Sequence, residues 1–501
     1  MSRALLALAA GALLPLSMAP FHFWPLGPLA LGLYFWVLLD APGRGLLAGW
    51  LFGLGLYGVG TSWIYVSIHE HGGASPLLAG FLVLLFASGL GLLTMLMAGL
   101  FVRFRPADTR LAAVFFALLY MGLEWVFTWF LTGFPWTAAG YGQIESPLSA
   151  FAPIGGVGLV SFTVLCSGLA LVVFIRSMRE AGFAARSVLL LSAGLLLLPW
   201  VLGLVLKNVA WTEVGPVRTT ALVQGNIEQA SKWDPANRLP IISHYRRLTE
   251  PHWGADLILW PEAAITVYEH QAEELLAALD ARGKAAGSSL VLGLPAVRVY
   301  PGDDYSFLNT ARGLGMAEGR YVKRRLVPFG EYVPLESLLR GLIQFFDLPM
   351  SHAEAGDWWQ PPLSLDGRRA NMAICYEIVY PELVRDDVDV LLTISNDTWF
   401  GDSIGPHQHL AIARVRALEN GRWLLRATNN GVTAIIDHRG EVRASLPQFE
   451  AGVLEGTYEE RQGRTPFNRF GSWPLYGFLL LAGLALLARS VLARALRVGQ
   501  K

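Results

Sequence analysis

Residues 371–377 read Asn371-Met372-Ala373-Ile374-Cys375-Tyr376-Glu377, a short β-rich apolar run that ends on a cysteine followed by an aromatic ring and a carboxylate. A reactive side chain at the end of a buried strand is the arrangement that α/β folds use for active sites. The chain has one other cysteine, Cys166, which lies in a long apolar stretch. Two thiols in such different surroundings are not expected to form a disulfide. Cys375 therefore reads as a free nucleophile.

Outward from this run, the segment 207–468 has the composition of an ordinary globular domain and is long enough to bury its own core. Short apolar runs at 218–223, 256–260, 290–294, 371–375, 388–394, 424–428 and 432–436 predict strands, and the spacing over 272–284 and 407–420 predicts helices. The alternation predicts an α/β fold with sheets inside and helices outside. Three of its segments gather polar residues: Trp260-Pro261-Glu262, Lys323-Arg324-Arg325-Leu326-Val327-Pro328-Phe329-Gly330-Glu331, and Cys375-Tyr376-Glu377.

The flanks are different. Of the 501 residues 53% are hydrophobic and 16% are charged, which is too apolar for a soluble enzyme of this length. Apolar stretches at 4–19, 24–39, 45–66, 76–102, 111–131, 150–175, 187–206 and 473–488 approach the ~20 residues that a bilayer core requires. The expectation is a helical bundle over 1–206, a catalytic domain over 207–468, and a last helix with a tail over 469–501. The first stretch, with Arg3 before it, also fits a cleaved signal, although a retained helix is the more economical reading beside so many further spans.

Arg3, Arg44, Arg103, Arg105, Arg110, Arg176, Arg179, Arg186, Arg489, Arg494, Arg497 and Lys501 all fall on one side of about eight such spans. The connections on the other side, around 21–23, 69–71 and 133–147, carry no Arg or Lys. The charge rule then puts both termini in the cytoplasm and segment 207–468 outside, in the periplasm of a bacterial inner membrane. A free thiol kept in that oxidising compartment usually has a chemical task. Net charge is zero and no basic block stands out, so nucleic-acid binding is not expected.

Trp260-Pro261-Glu262, Tyr321-Val322-Lys323, Leu326 to Pro334, Ile374-Cys375-Tyr376-Glu377 and Ile394-Ser395-Asn396-Asp397-Thr398-Trp399-Phe400-Gly401, in this order, resemble the nitrilase (carbon-nitrogen hydrolase) superfamily. A domain of that kind between a helical bundle and one last helix resembles the apolipoprotein N-acyltransferases of bacterial inner membranes. The resemblance implies an αββα sandwich beside a membrane bundle. It implies Cys375 as nucleophile, Glu262 as proton acceptor and donor, and Lys323 as oxyanion partner, aided by the backbone N–H of Tyr376. It gives Glu331 the task of holding Lys323, makes Tyr376 and Glu377 candidates for shaping the pocket, and puts Trp233, in Lys232-Trp233-Asp234-Pro235, near a substrate entrance.

The implied reaction is ping-pong: a phospholipid acylates Cys375, lysophospholipid leaves, and the α-amino group of a diacylglyceryl-cysteine takes the chain. A thioester lies close to an oxygen ester in transfer potential and an amide lies below it, so no energy cofactor is implied. No Gly-x4-Gly-Lys-Ser/Thr loop occurs in the chain. The partners implied are the phospholipid donor, the apolipoprotein acceptor and the bilayer, with the chain acting as a monomer. The alternative within enzymology is a membrane-tethered amidase on a small amide, and a more distant one is a transporter with a non-catalytic domain.

Standing alone, Cys375 would read as an inert packing residue, and Lys323 with its two arginines as a solvated charge run. The ordered motifs reverse both readings. The apolar stretch Leu338, Leu339, Leu342, Ile343, Phe345, Phe346, Leu348 and Met350 fits a membrane-facing lid or a buried core helix equally well. Gly53 to Gly58 satisfies a dinucleotide pattern but lies inside an apolar span, where close helix packing explains it better. His69-Glu70-His71 and His407-Gln408-His409 lack a full ligand set, so no metal is expected. Glu124 is costly in lipid and predicts a polar partner inside the bundle, through a functional site or a simple hydrogen bond. Cys166 reads as a small packing residue.

Overall fold

The structure is a computed structural model that describes residues 3–40, 42–178, 183–301, 305–332 and 353–498. The stretch 338–350, read above as a lid or a core helix, lies outside the described residues. The chain divides into two compact units. One comprises Met1–Ser62, Gly80–Val209 and Arg469–Lys501, and the other comprises Trp63–Ala79 and Ala210–Asn468.

In the first unit every apolar stretch expected to span a membrane forms a helix. Pro76–Phe104, Thr109–Val126, Pro147–Ser177 and Arg186–Leu206 are long and apolar enough to cross a bilayer. Gly45–Gly60 and Ile64–His71 form a pair bent by 67°, which counts as one broken span or none. Arg3–Leu16, Leu26–Asp40 and Trp473–Arg489 are apolar but shorter. At 1.5 Å per residue a 14-residue helix reaches about 21 Å, short of the ~30 Å hydrocarbon core. Leu190, Leu191, Leu197, Leu198, Val201 and Leu204 project from one of the long helices with most of their surface uncovered, which in water would be a large unfavourable apolar face.

Small residues let the helices of this unit approach. A Cβ on Gly53 would lie 2.2 Å from Thr94 Oγ1, and one on Gly55 would lie 2.3 Å from the Leu8 carbonyl oxygen. Gly53 and Gly55 of the pattern at 53–58 thus serve close helix packing. Glu124 accepts the backbone N–H of Ala139 at 3.0 Å, and Ser161 Oγ accepts that of Gly140 at 2.9 Å. These side chains satisfy amides of the 3₁₀ turn Ala139–Gln143, which has no regular ladder of its own.

The second unit holds thirteen strands among the described residues: β1 (Glu213–Gln224), β2 (Leu257–Leu259), β3 (Ser289–Val299), β4 (Tyr305–Gly315), β5 (Ala317–Glu318), β6 (Arg320–Val322), β7 (Leu363–Leu365), β8 (Arg368–Ile374), β9 (Val390–Ser395), β10 (Leu424–Thr428), β11 (Ala434–Ile436), β12 (Val442–Ser445) and β13 (Gly452–Gln462). They form a six-stranded sheet of order β13-β1-β2-β3-β4-β6 and a seven-stranded sheet of order β12-β11-β10-β9-β8-β7-β5. The centres are parallel, β1 with β2 and β3 in one sheet and β8 with β9 and β10 in the other.

The period of two along each central strand explains the layering. Leu222, Leu257, Leu259 and Val291 meet Met372, Ile374, Leu392 and Leu425 in one buried cluster between the sheets. Their neighbours Ala221, Val223, Ile258, Leu290 and Leu292 face the other way and pack with Ile241, Tyr245, Leu276 and Leu279. Those last residues belong to helices Arg238–Thr249 and Glu273–Ala286. Strands covered on both faces read as unbroken apolar runs, which is why these were the ones visible in the sequence.

Trp63–Ala79, expected within the bundle, groups with this unit instead. Ser67 Oγ donates to the Trp399 carbonyl at 2.7 Å, and the Trp63 and Phe400 rings meet edge to face at 4.7 Å.

Candidate active site

The site is assembled from strand ends. β2 gives way to Trp260-Pro261-Glu262, β6 to Lys323, β8 to Cys375 and β9 to Asn396. The backbone at Glu262 lies against Gly293 of β3, where a Cβ would sit 2.8 Å from Glu262 Cα and 2.6 Å from the Pro261 carbonyl oxygen. Only glycine leaves room for that turn. Lys323 N–H donates to the Asn309 carbonyl at 2.9 Å and so continues the β4–β6 pairing.

Lys323 is the hub, with 1% of its surface exposed. Its Nζ lies 2.9 Å from Glu331 Oε1 and 3.4 Å from Glu262 Oε1. Asn309 Nδ2, from β4, donates to the same two oxygens at 2.7 Å to Glu262 and 3.1 Å to Glu331. Glu262 Oε2 accepts Asn396 N–H at 2.8 Å, and Glu331 Oε2 accepts Val327 N–H at 2.9 Å. Burial alone would discharge the lysine, but Glu331, Glu262 and Cys375 outweigh it and hold the ammonium charged well above its ordinary range. A buried cation between two carboxyl groups is satisfied there and still available to a developing negative charge.

Cys375 adopts φ of 54°, a left-handed conformation rare for a residue with a Cβ. It opens the 3₁₀ turn Cys375–Val379. Burial and then the charge of Glu262 push its thiol up, while Lys323 pulls it down. The thiol is therefore held neutral beside a carboxylate and an ammonium, so any attack by its sulfur would need a general base to take the proton.

Two family models match the chain: "Apolipoprotein N-acyltransferase N-terminal domain" over residues 10–170 and "Carbon-nitrogen hydrolase" over residues 219–464. The apolipoprotein N-acyltransferase of Pseudomonas syringae pv. tomato is 47% identical over 97% of this chain and 97% of its own length. That of Azotobacter vinelandii is 48% identical over 97% of this chain and 95% of its own. This chain belongs to the apolipoprotein N-acyltransferase family. A mutant of the amidase from Nesterenkonia sp. AN1, with an acetamide moiety on its active-site cysteine, superposes with a TM-score of 0.36 at 21% identity, over 54% of this chain and 98% of that one. Likeness along the full length, bundle included, disfavours the small-amide amidase alternative.

In this N-acyltransferase chain the remaining residues singled out from sequence fall into place unequally. Glu377 is wholly buried, and its carboxylate accepts Tyr321 O–H at 2.9 Å, Arg324 N–H at 2.6 Å, Arg325 N–H at 3.1 Å and Ile374 N–H at 2.8 Å. It thus ties the backbone after Lys323 to the turn of Cys375, and its carboxylate is fully engaged in that tie. Burial raises its pKa against these donors. Tyr376 is buried, with its ring edge to face on Tyr380 at 5.4 Å. Trp233 is half-buried at the end of helix Gln229–Lys232.

Four groups of residues had no site role in the sequence reading, although Ser395, Asn396, Asp397, Lys232 and His409 stand in strings quoted there. Asn309 is the amide shared by both carboxylates, and Lys232 Nζ donates to the Glu262 carbonyl at 3.2 Å. Burial pulls Lys232 down to about 8. Asn396 Nδ2 donates to Gln229 Oε1 at 2.9 Å, which joins the site to helix Gln229–Lys232. His409, Asp397, Ser395 and Arg426 form a buried cluster behind Cys375. Among the described residues, no group of three or more His, Cys, Asp or Glu gathers as a metal site.

Proposed function

We propose that the protein transfers a fatty acyl chain from a membrane phospholipid, through a thioester on Cys375, to the α-amino group of the diacylglyceryl-cysteine that begins an apolipoprotein. What carries the reading is the Lys323 ammonium held between Glu331 and Glu262 in the electrostatic reach of the Cys375 thiol. The relatives named apolipoprotein N-acyltransferase supply the substrate class.

Cys375 Sγ attacks the ester carbonyl of the donor as Glu262 takes the thiol proton. Charge builds on the carbonyl oxygen, where Lys323 and the Tyr376 N–H stabilise it in a dry site. Collapse breaks the C–O bond, and the departing lysophospholipid oxygen receives the proton from Glu262. In the second half the α-amine attacks the thioester, Glu262 takes its proton, and the C–S bond breaks as the sulfur is reprotonated. Glu331 keeps Lys323 charged and placed throughout, Glu377 and Tyr376 hold the turn, and Trp233 borders the approach to it.

Both substrates are anchored in lipid, so the bundle confines their encounter to two dimensions. The one-sided distribution of arginine supports both termini in the cytoplasm and residues 207–468 in the periplasm. The protein acts as a monomer in this account. The test is acyl transfer from phospholipid to a diacylglyceryl-cysteine peptide by purified protein in vesicles. Cys375→Ser is expected to abolish transfer while remaining folded in the membrane, and a variant that still modifies the peptide would remove Cys375 from the mechanism.

A further inference from the structure

Against the backbone carbonyl of Cys375 lies a polar cluster for which the mechanism above has no use. His409 of helix Gly405–Asn420 is wholly buried, as are Asp397, Ser395 and Arg426. His409 Nε2 is 3.1 Å from the carbonyl oxygen of Cys375. Its Nδ1 is 3.0 Å from Arg426 Nη2 and 3.0 Å from Asp397 Oδ1. Asp397 in turn accepts Ser395 Oγ at 2.6 Å and Arg426 Nη2 at 2.5 Å. The Phe400 ring meets the imidazole edge to face at 5.7 Å.

The Cys375 carbonyl can only accept, so the ring nitrogen against it, Nε2, carries a proton, while Nδ1 faces both the Arg426 guanidinium and the Asp397 carboxylate. Burial and then Arg426 lower the imidazole's pKa, against the opposing pull of Asp397 and the Cys375 carbonyl. Nε2–H therefore donates to the Cys375 carbonyl. Asp397, held ionised by Arg426 against its burial, anchors the guanidinium.

The Cys375 carbonyl and the Tyr376 N–H belong to one peptide plane, and that peptide is trans, since the cis bond among the described residues is Ala19–Pro20. In a trans peptide the C=O and N–H vectors are antiparallel. A hydrogen bond that fixes the carbonyl toward His409 fixes the Tyr376 N–H toward the opposite side. We infer that His409, through Asp397 and Arg426, is a positioning residue that orients the Tyr376 amide toward the oxyanion by holding the other end of its peptide plane. The same hydrogen bond holds the left-handed conformation of Cys375, which has no Gly-like freedom to maintain itself.

The inference rests on the thioester reading above, and two rates measured on the full-length protein separate them. Acylation of Cys375 by a phospholipid with a labelled chain develops an oxyanion, whereas alkylation of the same thiol by iodoacetamide does not. His409→Phe is expected to slow acylation by about 100-fold while alkylation changes by less than about threefold. Parallel loss of both rates, or loss of neither, would overturn it.

A conservative pair covers a Phe variant that does not accumulate. Gln places an amide donor where Nε2 stands and Asn places one where Nδ1 stands, so His409→Gln is expected to acylate at least about ten times faster than His409→Asn. Equal rates in the two would overturn the inference. A wild-type protein that acylates its acceptor with no label on Cys375 overturns the thioester reading, and this inference with it.

Discussion

Glu262 Oε2 accepts the backbone N–H of Asn396 at 2.8 Å, a bond between residues 134 positions apart that joins the end of β2 in one sheet to the end of β9 in the other. With Asn309 and Lys323 on Oε1, the carboxylate is pinned by three donors. It is oriented before substrate arrives, as the base proposed above has to be. Glu262→Gln is nearly isosteric but cannot accept a proton at neutral pH. Phospholipid-dependent acyl transfer should fall by about 10²–10⁴-fold, with an unchanged melting temperature in detergent. Retention of more than a tenth of the activity would remove Glu262 from the proton path.

Glu377 calls for a different readout. Its carboxylate satisfies one hydroxyl and three backbone amides at a site with no exposure. Glu377→Ala would leave those donors buried without acceptors, at about 1–3 kcal/mol each before relaxation. The expected result is a drop in melting temperature of the catalytic unit together with slower acylation, partly restored by Glu377→Gln. A variant with normal stability and no activity would instead make Glu377 a participant in the chemistry.

How much of this was legible beforehand follows from where each residue sits. The buried parts of β1, β2, β3, β8, β9, β10 and β11 read as apolar runs because both sides of these strands are covered. β13, at a sheet edge, mixes an exposed Thr457 and a half-buried Glu459 with a buried Glu460 and Arg461, and β4 buries the polar Asn309 and Thr310 next to a half-buried Arg312. Neither has the continuous pattern that marks a covered strand. Cys375, Glu262, Lys323 and Glu331 were legible because each sits in a distinctive local string. Asn309 and His409 were not, since their meaning lies in contacts 47 and 34 positions away. The packing of Ser67 on Trp399, 332 positions apart, left no local mark either.

Lys232 makes stability depend on pH in a way that can be signed. Its pKa falls from 10.5 to about 8 in the folded protein, with burial as the largest cause and Glu262 opposing. Between these values the unfolded chain binds more protons than the folded one, so stability rises with pH across that window, by roughly 3 kcal/mol in total. Below pH 8 the folded state carries the full cost of a buried ammonium. Lys232→Met has no such group. From pH 7 to pH 10 the melting temperature of the wild type should therefore rise relative to that of the variant. A difference that stays constant would show that the lysine keeps its ordinary pKa.

The central claim is that Cys375 carries the acyl chain, and the most direct measurement is mass spectrometry of that residue after exposure to phospholipid with an isotopically labelled acyl chain and no acceptor. The account predicts a labelled acyl mass on the peptide containing Cys375, released by neutral hydroxylamine, transferred to a diacylglyceryl-cysteine peptide on its addition, and lost in Cys375→Ala. An active wild-type preparation whose Cys375 never acquires the label, or whose label resists chase to the acceptor, would contradict it.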